Sequence, residues 1–354
     1  MSKIISVGTS TGKCEIKQKD VKEFVRQIFS GCNLNLNTMM HVFDNSCIET
    51  RHFSVPVEWF GKEHSFSERN ELFIQNAIAM SREAINSALE KRNIGTEKIN
   101  HIYFITTTGL STPSIDAILL NKLKFNNHIK RTPVWGLGCA AGAAGLSRAF
   151  EYTKAFPGSV ALVVSIELCS LTFQKDDLSK SNLVATSLFS DGAAAVVVAG
   201  KESVYYNNPG IEILDSLSTT YIDSLDVMGW EIVDKGFKVL FSKDIPAIVE
   251  NLVKPNIDEL LSNNGLSIPE IKYYITHPGG MKVLLAYGKS LGISDDYFFL
   301  SREVLKDNGN MSSPTVLFVL KKFLDKMEYL PGELGIISSL GPGFSSELLL
   351  FSTA

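Results

Sequence analysis

Two landmarks in this chain recur about 170 residues apart, and that spacing constrains the fold more than any other feature. The run Ile102-Tyr-Phe-Ile-Thr106 returns as Tyr273-Tyr-Ile-Thr276, and the two closing threonines are 170 apart. Cys139 opens a helical stretch that ends at Pro157-Gly158, ahead of the apolar run Val160–Ile166. Asn310 opens another that ends at Pro331-Gly332, ahead of Gly335-Ile-Ile-Ser-Ser-Leu340. Two landmarks with nearly one offset argue for a duplicated half, roughly 1–200 and 201–354. The length of 354 residues agrees, because single cores stop growing near ~250–300 residues.

Between the landmarks, short apolar runs alternate with helical stretches. Strands are predicted at 102–106, 132–135, 160–166, 193–198, 273–276 and 335–340, from length, β-branched content and bounding residues. Helices are predicted at 68–91, 140–155, 244–263, 281–291 and 313–327. This alternation implies a layered α/β fold.

Composition removes several function classes. Lys and Arg number 34 against 38 Asp and Glu, so the net charge of −4 offers no field for nucleic acid or an anionic membrane. The longest apolar runs, such as Gly192–Ala199, are too short for a membrane span, and the N-terminus lacks a secretory pattern. A cytoplasmic protein is expected. Cysteines 14, 32, 47, 139 and 169 are too scattered for a disulfide framework or a metal motif, so no metal is expected.

Three residues stand out chemically. Cys139, in Trp135-Gly-Leu-Gly-Cys-Ala-Ala-Gly-Ala-Ala-Gly145, falls between a predicted strand and the start of a helix. Unpaired backbone N–H groups and the helix dipole there favour a thiolate, and predict a lowered pKa. A small buried cysteine is the plainer alternative. The same glycines match Gly-x-Gly-x-x-Ala, but no acidic residue ends a second strand about 20 residues on, so a dinucleotide site is not indicated; Glu167 lies too far along. His277 directly follows a strand, on a Pro-Gly-Gly turn, where α/β sheets bind ligands, and by itself it reads as either a structural or a catalytic histidine. The other histidines (41, 52, 64, 101 and 128) read as solvated. Asn310 alone reads as a helix-capping residue. If the halves are related by a pseudo-twofold axis, however, Asn310 and Cys139 point at one place, with His277 beside them. A nucleophile, a base and an amide donor converging there form a reactive constellation.

Six segments carry a resemblance. Gly136-Leu-Gly-Cys-Ala-Ala-Gly142, Glu167-Leu-Cys-Ser-Leu-Thr-Phe173, Leu188-Phe-Ser-Asp-Gly192, His277-Pro-Gly-Gly280, Gly309-Asn-Met-Ser-Ser313 and Gly341-Pro-Gly-Phe344 occur in order from about residue 5 to the end. Together they closely resemble the type III polyketide synthases, the chalcone synthase family. The resemblance implies a thiolase-type fold with two duplicated α-β-α-β-α halves. It also implies a homodimer that acts on acyl-CoA and malonyl-CoA, with no cofactor and no carrier protein. By the same resemblance, Cys139 is the nucleophile that carries the acyl chain, and His277 its ion-pair partner. Asn310, with His277, would hold the thioester oxygen during decarboxylation. Phe189 resembles a gatekeeping aromatic. Thr172 and Ser312 match cavity-lining positions, and Gly341, Pro342 and Gly343 a cavity-shaping loop.

Departures from the plant pattern bear on the substrate. Val239 stands where the plant enzymes have a second gatekeeping phenylalanine, Thr112 where they have a methionine, and Trp230 where they have a glycine. The first two changes open volume and the third fills it, and the stretch Val227-Met-Gly-Trp230 is more similar to bacterial members that accept fatty acyl starters. A medium- or long-chain acyl-CoA, extended with malonyl-CoA and released as a pyrone or resorcinol, is expected. The plant coenzyme A site is rich in basic residues, whereas Asp44-Asn-Ser-Cys-Ile-Glu-Thr-Arg51 offers only Arg51, with Lys282 as a further candidate. The alternatives are a 3-oxoacyl-acyl-carrier-protein synthase III-like enzyme, a hydroxymethylglutaryl-CoA synthase and a non-catalytic acyl-binding homologue.

Overall fold

The computed structural model describes residues 1–29, 36–242 and 245–354. Cys32 and the first residue of the predicted 244–263 helix lie outside them. Thirteen strands are present among the described residues. They are β1 (Ser2–Thr11), β2 (Cys14–Lys17), β3 (Thr50–Phe53), β4 (His101–Ile105), β5 (Lys130–Val134), β6 (Val160–Leu168) and β7 (Asp191–Gly200). The remainder are β8 (Ile211–Thr220), β9 (Met228–Val233), β10 (Gly236–Phe241), β11 (Ile271–Thr276), β12 (Leu334–Gly341) and β13 (Ser345–Thr353).

Nine of these strands form one sheet, in the order β11-β12-β13-β8-β1-β7-β6-β4-β5. Its seam is β1 against β8, joined through Ser2 and Ile213, Lys3 and Glu212, and Ile4 and Ile211. Outward from the seam on one side, β1–β7 and β7–β6 are antiparallel and β6–β4 is parallel. On the other side, β8–β13 and β13–β12 are antiparallel and β12–β11 is parallel. The order and the strand senses therefore mirror each other across the seam. β5 is an extra strand at one end, parallel to β4. Pro133 within β5 suits that edge, because proline cannot donate to a ladder on both sides.

Strand periodicity then builds the layers, because successive side chains point to opposite faces. Ala193, Ala195 and Val197 of β7 join the core that contains Phe73, Ala77 and Ala84 of the Phe66–Glu90 helix. Ala194, Val196 and Val198 join a middle core with the helices Ala141–Ala155 and Pro314–Lys326. In the second half, Ile337, Leu349 and Phe351 face the same middle core. Ile336, Leu348 and Leu350 pack instead with the helices Ile245–Asn263 and Met281–Leu291. The result is α-β-α-β-α, a thiolase-type fold. Each fully buried valine of β7 contributes roughly 1.5–3 kcal/mol, so the strand is anchored from both faces.

The two central helices start in close contact. A Cβ on Gly142 would lie 2.3 Å from Ser313 O. The absence of a side chain at Gly142 is what lets the first turn of one helix approach Ser313, the residue that precedes the other.

Several boundaries differ from the sequence reading for local reasons. The first long helix begins at Phe66 rather than 68, because Ser65 and Glu68 form a reciprocal capping box. His101 is not solvated. It is buried on β4, stacked on Tyr103, with Nε2 2.8 Å from Thr132 Oγ1. Burial pushes its pKa down to about 4. Strand alternation alone could not show that β5 would cover this ring. Among the described residues no helix is long and apolar enough to cross a membrane.

Candidate active site

Cys139 lies on the 3-10 turn Gly138–Ala140, between β5 and the Ala141–Ala155 helix. The Gly341–Gly343 loop is seated on this turn. A Cβ on Gly341 would come within 2.5 Å of Leu137 O, and Pro342 packs over Gly138. His277 follows β11, and its backbone N–H donates to Ser338 O of β12 at 2.8 Å. Its ring is buried, and neither ring nitrogen has a hydrogen-bond partner among the described residues.

Asn310 precedes the second central helix, and its side chain is held at both ends. Nδ2 donates to Gly279 O at 3.1 Å, and Oδ1 accepts from Ser312 N at 2.8 Å. An amide nitrogen carries two protons, so one is left for a ligand. Cys139, His277 and Asn310 line one cavity of about 320 Å³, together with Leu188, Gly279 and Phe344. Ser312 Oγ lies 3.3 Å from Cys139 Sγ.

The electrostatics correct one expectation. Burial pushes the Cys139 thiol up to about 12, outweighing the helix N-terminus. Burial likewise pushes His277 down to about 3. Each group alone is therefore neutral at pH 7.

Glu167 is a functional candidate that the motif reading passed over. It is fully buried at the end of β6. Oε2 accepts from Thr107 N at 2.9 Å and Thr108 Oγ1 at 2.8 Å, and Oε1 accepts from Ser313 Oγ at 2.9 Å. Thr107 Oγ1 accepts in turn from Gly138 N at 3.2 Å, on the nucleophile's turn. Burial pushes the Glu167 carboxyl up to about 7. A carboxylate inside an otherwise apolar strand run was the available sequence signal, since a buried charge needs partners.

The residues expected to shape the substrate pocket divide into groups. Thr172, Phe189, Trp230 and Val239 line a second, smaller cavity of about 40 Å³, with Val21, Phe53 and Phe60. The Phe189 ring stands 5.9 Å from Trp230 and 5.7 Å from Phe241, and Phe241 lines the larger cavity. Thr112 lines neither cavity and is exposed. Lys282 lines the larger cavity and is exposed, as is Lys180.

Arg51 is not at that opening. It is 1% exposed, and its Nη1 donates to the carbonyls of Thr186 and Phe189. Burial pushes its guanidinium down to about 9, with Asp191 opposing. Arg51 is a clamp on the backbone that carries Phe189. Lys180 and Lys282, not Arg51, are the cations on the larger cavity.

Comparisons with known proteins agree with this geometry. The chalcone and stilbene synthase N-terminal domain model matches residues 1–202, and the C-terminal domain model residues 214–354. The chain belongs to the chalcone and stilbene synthase family. A chalcone-synthase-like protein of Bacillus subtilis (strain 168) is 44% identical over 99% of both chains. The 1,3,6,8-tetrahydroxynaphthalene synthase of Streptomyces peucetius subsp. caesius is 32% identical, over 98% of this chain and 92% of that protein. The crystal structure of the Streptomyces coelicolor 1,3,6,8-tetrahydroxynaphthalene synthase, a bacterial type III polyketide synthase, superposes with a TM-score of 0.94 at 28% identity, covering 99% of each chain.

The chain is thus a bacterial type III polyketide synthase, an acyltransferase-type enzyme that condenses malonyl-CoA. Enzymes of this family use coenzyme A substrates without a cofactor. Among the described residues no group of His, Cys, Asp or Glu is arranged to hold a metal.

Proposed function

We propose that Cys139 is the acyl-carrying nucleophile, His277 its proton acceptor, and Asn310 the donor to the enolate. The Cys139 proton passes to His277. The thiolate attacks the starter thioester, the bond to Cys139 forms as the bond to the coenzyme A sulfur breaks, and coenzyme A takes the proton from His277 and leaves as its thiol. Malonyl-CoA then loses carbon dioxide, and the electron pair becomes an enolate. The free Nδ2 proton of Asn310 and the His277 ring hold its oxygen. The enolate carbon attacks the Cys139 thioester, a C–C bond forms, and the cysteine sulfur departs. Preorganised donors of this kind supply much of the rate, because removing one typically costs ~10²–10³.

The starter in this reading is a medium- or long-chain fatty acyl-CoA, and the product a pyrone or resorcinol. The observation that carries it is the second cavity beside Phe189, whose lining is mainly apolar (Val21, Val25, Phe53, Val57 and Phe60) with Arg51, Thr172 and Asn182 among the polar members. Rotation of the Phe189 ring would join that space to the cysteine cavity. A panel of acyl-CoA starters with labelled malonyl-CoA, with products read by mass, tests it. Faster turnover of aromatic than of fatty starters would overturn it. A naphthalene product from malonyl-CoA alone would favour the second reading, which the tetrahydroxynaphthalene synthases support by likeness.

The same proposal has the protein acting as a homodimer on free coenzyme A thioesters, without a carrier protein. The outer edge of β5, last in the sheet, and the exposed Trp135 and Leu110 nearby support a second copy there. The separate family matches to 1–202 and 214–354 support a division of the chain near residue 200. Phosphate contact falls to Lys282, on the larger cavity. Light scattering in solution reports the oligomeric state.

A further inference from the structure

Ser312 enters the sequence reading only as a cavity-lining residue, but its placement carries more. Its Oγ is 3.3 Å from Cys139 Sγ, and Ser312 is the side chain that hydrogen-bonds the sulfur. The residue is buried, at 6% exposure. Its backbone is fixed on both sides. Ser312 N donates to Asn310 Oδ1 at 2.8 Å, and Ser312 O accepts from Thr315 N at 3.0 Å and Thr315 Oγ1 at 2.8 Å.

The backbone is also strained. Ser312 has φ +57, in the left-handed region that disfavours residues with a Cβ. Glycine would relieve that strain. A hydroxyl held there against local preference, aimed at a reactive sulfur, is the pattern of strain stored at a functional site.

We infer that Ser312 is a catalytic residue whose hydroxyl donates a hydrogen bond to the Cys139 thiolate. The inference rests on the assignment of Cys139 as nucleophile. The proton leaves Sγ for His277, while the Ser312 proton stays on its oxygen and points at the sulfur. When the sulfur attacks the thioester it becomes neutral, coenzyme A takes the His277 proton and leaves as its thiol, and the contact weakens. When the condensation releases the sulfur as thiolate, the contact forms again. The contact thus holds the sulfur anionic until it attacks, in a site where burial pushes the thiol up and Ser312 alone among nearby side chains pulls it down by a hydrogen bond. Other titratable groups near the sulfur are His277 across the cavity, Glu167 on β6 and Cys169 just after it.

The test is alkylation of Cys139 by iodoacetamide across a pH series in the full-length protein, followed by peptide mass. Cys139→Ala supplies the blank. Ser312→Ala and Ser312→Gly both remove the hydroxyl, but only glycine relieves the φ strain. Losing one donor to a charged atom should displace both curves about one pH unit upward, and slow alkylation about tenfold on the rising limb. Ser312→Gly should melt no lower than Ser312→Ala, which separates the missing hydroxyl from damage to the fold. Curves that superpose on the wild type, or a displacement confined to Ser312→Ala, would overturn the inference. A wild-type protein that takes no acyl group on Cys139 from any starter would overturn the nucleophile assignment itself.

Discussion

Phe189 and Asn310 are paired backbone to backbone. They form an isolated parallel bridge, in which Asn310 N donates to Leu188 O and Ser190 N donates to Asn310 O, each at 2.9 Å. The Phe189 segment, on the smaller cavity, and Asn310, on the larger one, are therefore tied together through their backbones. Arg51 holds the same segment from behind, through Thr186 O and Phe189 O.

Asn310 should matter more for decarboxylation than for loading. Asn310→Ala removes the donor to the enolate oxygen but leaves Cys139 in place. Decarboxylation of malonyl-CoA should fall by about 10²–10³, with acyl transfer to Cys139 much less affected. Equal losses in the two half-reactions, measured separately, would contradict this division.

His277 should set the reactivity of the thiol at neutral pH. Burial pushes the thiol up, so a sulfur acting alone would be almost wholly protonated at pH 7. Replacing His277 by alanine removes the proton acceptor, so the alkylation curve of Cys139 should move to higher pH. An unchanged curve would show that His277 is not the acceptor.

Glu167 should make stability fall as pH rises through the weakly acidic range. Its folded pKa of about 7 exceeds the ordinary 4.5. Between those values the unfolded chain binds fewer protons than the folded one, so unfolding is favoured increasingly up to about pH 7. The full effect is roughly 3 kcal/mol. Glu167→Gln should flatten this dependence in thermal melts from pH 4.5 to 7. Parallel melting profiles for the two proteins would exclude Glu167 as the source.

Lys282 and Arg51 should separate in coenzyme A binding. Lys282→Ala should weaken binding about threefold to fivefold at low salt, with the difference fading as salt screens it. Arg51→Gln should leave coenzyme A affinity unchanged and slow catalysis, because it releases the Phe189 segment. Calorimetric titration that shows an equal loss of affinity in both variants would return Arg51 to the phosphate site.

Much of this protein is legible in local pattern. Apolar runs bounded by turn residues located β4, β6, β7, β11 and β12, because a buried strand needs a short, continuously apolar segment. The offsets of 170 and 171 placed Cys139 and Asn310 at equivalent turns before they were known to share a cavity. The six motifs identified the family. Tertiary structure alone decided the rest. Periodicity states which face of an element is buried, not which distant backbone will cover it. The burial of His101 under β5, the retreat of Arg51 behind Phe189 and the gathering of four threonine and serine donors around Glu167 all depend on strands and turns far apart in the chain. The contact between Ser312 and Cys139 spans 173 residues. It exists because a glycine lets two central helices begin within touching distance, a condition of packing that no stretch of sequence read by itself expresses.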